Sequence, residues 1–258
     1  MSIYATENSV TKSFDENFIP EEQLQAQWAE FIELKKVIAE QFHRQHKKIS
    51  ILDIGIGTAR IPKHLCGIPE IWNMIDSYDG IDNAEPCINI SKNTIAALGI
   101  GNKVSVYFLE APSILQLDKK YDLIITTWFT AGNFYPEDFD FESYKESGIK
   151  LDLSGNKRFG KVFSTAYQML LPGGQIVLGS IYKDNDNTRK KQESFYQKMG
   201  MTIITDAHDS FTATREKFWS QRFTKEKIIS YFSFAPNAGF EFIDLDNYDY
   251  AMQVRIRK

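Results

Sequence analysis

Cysteine is scarce: the 258 residues hold only Cys66 and Cys87. Two thiols are too few for a disulfide framework or a thiolate cluster, and they are expected reduced, in the cytoplasm. Long apolar runs are missing as well. Stretches such as Leu123-Ile124-Ile125 and Ile176-Val177-Leu178 fall far short of the ~20 residues that cross a bilayer. Residues 1–7 show no basic segment leading into an apolar one, so neither a leader nor a membrane partner is expected. Net charge is small: 34 acidic against 30 basic residues give −4. The basic residues are spread along the chain, which argues against a nucleic-acid partner. Histidine is rare, with four. The one grouping near a histidine, Asp206, His208 and Asp209, lacks further ligands, so no metal is expected. Internal repeats and low-complexity runs are absent.

What is present is a hydrophobic fraction of 43%, ordinary for a globular chain long enough to bury one core. One domain over residues 1–258 is expected. It carries an arm and a helix over 1–48, and the expected form is a monomer or homodimer. Pro20 suits a helix start, and Glu21 and Glu22 follow where the dipole favours acids. Leu24, Trp28, Phe31, Ile32, Leu34, Val37, Ile38 and Phe42 then recur at three- and four-residue spacings, which predicts an amphipathic helix to about residue 43. Residues 2–19 lack such a period and read as an arm. From residue 49 the pattern changes to short β-branched runs at 49–54, 77–82, 103–109, 121–127, 175–180, 240–245 and 250–256, with helical spacing at 85–98 and 157–171. Alternation of this kind predicts an α/β fold, a mostly parallel sheet with helices on both faces. Residues 182–234 are too long for a plain connection and predict an inserted cap between the fifth and sixth strands. Ligand chemistry belongs at the carboxyl ends of the strands.

The most informative stretch is Ile51-Leu52-Asp53-Ile54-Gly55-Ile56-Gly57-Thr58-Ala59-Arg60. An apolar strand runs through an acid into two glycines that turn the chain, where a side chain would hold a ligand away from the backbone. A dinucleotide site would want a third glycine where Arg60 stands, and Asp53 would repel a diphosphate. A phosphate-free ligand carrying an ammonium group suits Asp53 better. A bare tight turn is the alternative. Further on, Tyr78-Asp79-Gly80-Ile81-Asp82-Asn83 ends the second strand in an acid that can accept hydrogen bonds from a diol. Leu109-Glu110-Ala111 ends the third, and Tyr121-Asp122-Leu123-Ile124-Ile125 precedes Thr127-Trp128-Phe129. Leu171-Pro172-Gly173-Gly174 is expected to end a helix before the fifth strand.

Asp53-x-Gly55-x-Gly57 resembles motif I of class I S-adenosylmethionine-dependent methyltransferases, with Ala59 where the family often has a third glycine. The landmarks over residues 49–180 resemble that family in order and interval. The resemblance implies a Rossmann-like seven-stranded sheet whose last strand runs antiparallel between its neighbours, with S-adenosylmethionine as cofactor. It assigns the donor site to Asp53, Gly55, Gly57, Asp82, Asn83, Glu110, Ala111 and Thr127, with Asp79 as a fallback for Asp82. The implied activity is methyl transfer to a nitrogen, or as second choice an oxygen, of a small polar metabolite. A binding or interaction module that keeps the fold is the rival reading.

For the acceptor side, Thr130-Ala131-Gly132-Asn133-Phe134 is similar to the Gly-Asn-Phe segment of histidine N-methyltransferases, whose asparagine contacts the amino-acid substrate. Candidate substrate contacts are Trp128, Asn133, Phe134, Arg215, Trp219 and Arg222, the last favoured for a carboxylate. Gly132 is read as giving the backbone an unusual shape before Asn133. Candidates for proton transfer are His208, Tyr4 and Asn133. The aromatic content, 19 Phe, 12 Tyr and 4 Trp, fits an aromatic-walled site or loops packed down by rings.

Overall fold

The computed structural model describes residues 4, 6, 10, 11, 19–147 and 150–258. The expected arm over residues 2–19 therefore lies mostly outside the described residues. In chain order the elements are α1 (Glu21–Gln45), β1 (Ile49–Ile54), α2 (Arg60–Cys66), α3 (Pro69–Trp72), β2 (Ile75–Asp82), α4 (Glu85–Leu98), β3 (Val104–Phe108), β4 (Tyr121–Thr126), α5 (Tyr144–Ser147), α6 (Lys157–Met169), β5 (Leu170–Lys183), α7 (Asp186–Lys198), β6 (Phe211–Ala213), β7 (Trp219–Phe223), α8 (Lys225–Tyr231), β8 (Gly239–Asp244) and β9 (Ala251–Arg257). Among the described residues no helix is long and apolar enough to cross a membrane.

Parallel pairing runs β3-β2-β1-β4-β5, after which β9 joins β5 antiparallel and β8 joins β9 antiparallel. This is the Rossmann-like α/β sheet expected, with its last strand reversed between two neighbours. The order turns back between β1 and β4, which opens a crevice at their carboxyl ends. Strand β4 is buried at every position, as a central parallel strand must be. Alternation divides the core in two. Leu52, Ile54 and Ile124 meet Phe159, Val162 and Phe163 of α6 on one face, while Ile51, Leu123 and Ile125 meet Leu34, Val37 and Ile38 of α1 on the other.

Among the described residues the sheet has nine strands, two more than the seven expected, and the extra pair belongs to the insertion. Tyr182 pairs with Ala251 of β9 on one edge of β5 and with Arg222 of β7 on the other. Strand β4 stops at Thr126, opposite Leu178, so β7 takes the edge that β4 vacates. The β6-β7 hairpin is thereby held over the end of β4. The cap is also built from a second segment that the sequence reading missed: Phe139 and Leu153, between β4 and α6, pack with Ile204, Phe211 and Trp219. Helix α8, which falls within the span 182–234 read as cap, buries Ile228 and Tyr231 against the sheet core.

Helix α1 departs from its apolar reading. Trp28 and Ile32 are 52% and 48% exposed, while Gln23, Glu30 and Gln41 lie on the buried face. The stripe facing the sheet contains polar residues that a search for apolar periodicity passes over.

Candidate active site

At the end of β1 the chain turns through Gly55 at φ +84° and Gly57 at φ +58°. A Cβ at Gly55 would stand 2.6 Å from Thr130 Cγ2, so both conformation and space require glycine there. The turn is tied to the tip of β2: the N–H groups of Gly55 and Ile56 both donate to the Ile81 carbonyl at 2.9 Å. Asp82 completes the tie, its Oδ2 accepting from Gly57 N at 3.0 Å and its Oδ1 from Ala84 N at 2.9 Å. Ala59 adopts φ +62°, which explains why a third glycine would also fit at this point.

The end of β4 is strained. Trp128 and Phe129 are both left-handed, at φ +53° and +61°, a conformation that costs a bulky L-residue of order 1–2 kcal/mol. Tertiary contacts hold it. Trp128 N donates to Glu30 Oε1 of α1 at 2.9 Å, Thr130 Oγ1 donates to the Thr127 carbonyl at 2.7 Å, and the Phe129 ring stacks on Tyr182 at 3.8 Å. Glu30 is fully buried and pairs with Arg60 at 2.7 Å, and the Arg60 guanidinium lies 5.4 Å over the Trp128 ring.

These elements wall a cleft offering about 240 Å³ of free space, against about 30 Å³ in the hollow behind Trp128 and Asn133. The smaller volume has room for no more than a few waters, so of these two cavities the cleft is the one that takes a metabolite. Gly55, Gly57, Asp82, Asn83, Ala111 and Thr127 line it from the sheet side. Tyr4, Trp128, Asn133, Phe134 and Trp219 line it from the other. Residues from both candidate sets of the sequence thus line one space.

Five expected site residues lie elsewhere. Asp53 is 1% exposed and outside the cleft lining, taking a 2.6 Å hydrogen bond from the Tyr78 hydroxyl. Burial pushes its carboxyl up to about 7, so it does not present the full charge to an ammonium that the sequence suggested. Glu110 is exposed and outside the cleft lining, although its neighbours Leu109 and Ala111 both line the cleft. His208 is exposed on a turn, in a segment where Asp206 N donates to Asp209 Oδ2 at 2.8 Å. Arg215 is exposed, while Lys217 of the same hairpin turn lines the cleft. Arg222 is 1% exposed and is spent within the cap, on Gln192 at 2.7 Å, Thr212 at 2.8 Å, Asp184 at 3.4 Å and the Asp209 carbonyl. It cannot serve a substrate carboxylate. The fallback acid Asp79 is likewise committed, to Tyr121 and Lys119 at 2.8 Å each.

Two roles change as well. Tyr4 lines the cleft, but burial, with Cys87, Asp82 and Tyr196 nearby, pushes its phenol far up, so it keeps its proton near neutral pH and is not a ready base. Gly132 is not in a left-handed conformation. Its Cβ would stand 2.9 Å from the Gln221 carbonyl, so its need is close approach to β7. Asn133, the next residue, has its Oδ1 buried without a partner.

Sequence reasoning missed Arg60, Arg158 and Lys217, the three cations of the lining. One signal was available for Arg158: it stands in the first turn of α6 beside Lys157, with no acid there, at the helix end where a cation is disfavoured.

No family model matches the sequence, and no curated protein sequence matches it. Solved structures do match in fold. The CcbJ methyltransferase from Streptomyces caelestis superposes with a TM-score of 0.58 at 12% identity, over 99% of this chain and 98% of that one. The 1,6-didemethyltoxoflavin-N1-methyltransferase from Burkholderia thailandensis, solved with 1,6-didemethyltoxoflavin and S-adenosylhomocysteine, gives 0.55 at 12% identity over 97% and 84%. An O-methyltransferase family protein from Burkholderia thailandensis gives 0.55 at 10% identity over 88% of this chain, which spans only 55% of that protein's length. The chain therefore has the fold of the S-adenosylmethionine-dependent methyltransferases, as its motifs suggested.

Proposed function

We propose that this chain is an enzyme that transfers a methyl group from S-adenosylmethionine to a nitrogen of a small polar metabolite. The observation that carries the reading is one cleft, at the reversal of the strand order, in which Asp82 and Arg60 flank the Gly55-Gly57 turn. The residues fit the donor. Among the described residues burial raises the Asp82 carboxyl, and backbone N–H groups, with no cation, act on it, its two oxygens accepting from Gly57 and Ala84. Neutral hydroxyl donors of a ribose diol suit such a group, whereas a diphosphate would be repelled. Arg60 has guanidinium N–H groups beyond the one bonded to Glu30 and would hold the donor's carboxylate. S-adenosylmethionine supplies a methyl group on a good leaving group. The protein's tasks are then positioning and exclusion of water.

The choice of nitrogen rests on what the wall offers. The unpartnered Asn133 Oδ1 can accept an N–H and orient the nitrogen. Tyr4 and Cys87 keep their protons at neutral pH, because burial pushes the phenol far up and the thiol to about 12. A nitrogen that arrives neutral needs no strong base from the protein.

Calorimetric titration with S-adenosylhomocysteine, followed by mass spectrometry for the gain of one methyl on amines, amino acids and phenols, tests this reading. Failure to bind S-adenosylhomocysteine ends it. Asp82→Ala should weaken that binding by about 1–3 kcal/mol, through loss of charged hydrogen bonds; an unchanged affinity would remove Asp82 from the ribose site. His208→Ala should leave kcat/KM at the wild-type value, and a large fall would bring His208 back into the mechanism.

A further inference from the structure

We infer that the acceptor half of the cleft recognises an oxyanion through Arg158, so that the substrate is a small acid, a carboxylate or phosphate on a flat apolar body, and not a neutral or purely cationic amine. The claim names the substrate class for the reaction proposed above and rests on that reading for the chemistry, though the anion site itself stands independently of it.

Arg158 lines the cleft with its guanidinium 5.0 Å over the Tyr135 ring. Stacking uses the face of the guanidinium and leaves its N–H edge for a carboxylate fork. The other enclosed arginines, Arg60, Arg189, Arg222 and Arg255, each face a carboxylate within 4.0 Å. Among the described residues Arg158 faces none, and its Nε is buried without a partner. Helix stability does not account for it, since the N-terminal turn of α6 favours anions. The same electrostatics favour an anion bound there, beside the arginine.

A second observation comes from another element. Trp219 of β7 is 2% exposed, lines the same cleft and has its Nε1 donor buried without a partner. An orphaned buried donor is costly, and an acceptor oxygen on a bound molecule would satisfy it. Lys217 adds positive charge at the rim. Its own partner, Glu142, is 3.4 Å away across a contact that leaves the two side chains 60% and 81% exposed, a pairing that water screens. The donors thus belong to Arg158, Trp219 and Lys217, and the unpartnered acceptor to Asn133. An acid that also bears an N–H satisfies both kinds, with Phe134 and Tyr135 beside its flat body.

Matched probes test the assignment by calorimetry on protein saturated with S-adenosylhomocysteine: anthranilate against 2-aminobenzamide, and phenyl phosphate against phenol. In the wild type at least one acid should bind about tenfold or more tighter than its neutral partner, and the tighter arm identifies carboxylate or phosphate. Arg158→Gln should abolish that preference while keeping the thermal midpoint and the S-adenosylhomocysteine affinity, and Arg158→Lys should restore part of it. Should Arg158→Gln fail to fold, Trp219→Phe carries the test, since loss of a donor must weaken the charged acid by a larger factor than its neutral partner. The assignment is overturned if no acid binds at millimolar concentration, if acid and neutral partner bind alike, or if the preference survives in Arg158→Gln. Wild-type protein that binds an acid through Arg158 but no S-adenosylhomocysteine would sink the methyl-transfer reading and leave the anion site standing.

Discussion

Glu30→Ala is expected to lower the unfolding free energy by about 3–5 kcal/mol, the cost of stranding one half of a buried ion pair. Glu30 is fully buried and holds Arg60, 13% exposed, at 2.7 Å, so its loss takes from the guanidinium its only carboxylate among the described residues. A second loss accompanies the first. Trp128 N, now paired with Glu30 Oε1 at 2.9 Å, would lose that bond in a turn that is already left-handed at two residues. The carboxylate also sits tight on β5, where a Cβ at Gly179 would lie 2.3 Å from Glu30 Oε1. One side chain of α1 therefore ties together α2, β5 and the turn that follows β4. Urea unfolding of the variant beside the wild type checks this, and a difference below about 0.5 kcal/mol would show that the pair is dispensable. The same variant should weaken S-adenosylhomocysteine binding, because Arg60 and Trp128 lose the group that holds them at the cleft.

The second large effect is a pH dependence carried by Asp53. Burial lifts its carboxyl from the ordinary 3.8 to about 7, against the lowering influence of the Tyr78 hydrogen bond and of Arg60. Tyr78, whose own phenol is pushed well above its usual range by burial and by Asp53, keeps its proton and donates it. Between about pH 4 and pH 7 the folded protein holds a proton on Asp53 that the unfolded chain has released. Stability from this group is thus full below the ordinary carboxylate range, declines as pH rises, and is gone above about 7. A shift of that size corresponds to roughly 4 kcal/mol at most. Asp53→Asn is neutral at every pH and lacks the slope. Other titrating groups cancel in the comparison, so the useful quantity is the stability difference between wild type and variant at pH 5 and at pH 8. It should move in favour of the variant by a few kcal/mol, and a difference that stays constant would show that Asp53 is ionised in the fold throughout.

Both effects originate in residues whose importance the sequence revealed unevenly. Asp53 stood out by its motif, and its location at the glycine turn is as expected, yet its environment is set by Tyr78, 25 residues away, reaching across from the neighbouring strand. Glu30 was invisible as a site residue. It occupies the buried stripe of α1, where apolar periodicity registers Phe31 and Leu34 and ignores the acid beside them. Arg222 and Arg158 make the same point in opposite directions. The first is in the segment that forms the cap and was the natural choice for an anion, but the cap consumes its hydrogen bonds. The second is in a crossover helix, and the fold sets it over Tyr135 in the lining of the cleft.

The sequence by itself determined the alternation of strands and helices, the sharp turn after β1 and the acid at the tip of β2. These depend on local causes: side-chain periodicity, the left-handed backbone at Gly55 and Gly57, and the chain direction that a parallel strand imposes on whatever follows it. Tertiary structure alone decided which charged groups face the cleft and which are neutralised inside the protein. That choice depends on partners 30 to 100 residues distant, such as Glu30 with Arg60 and with Trp128, and a polar side chain takes its direction from the nearest group that can repay its desolvation.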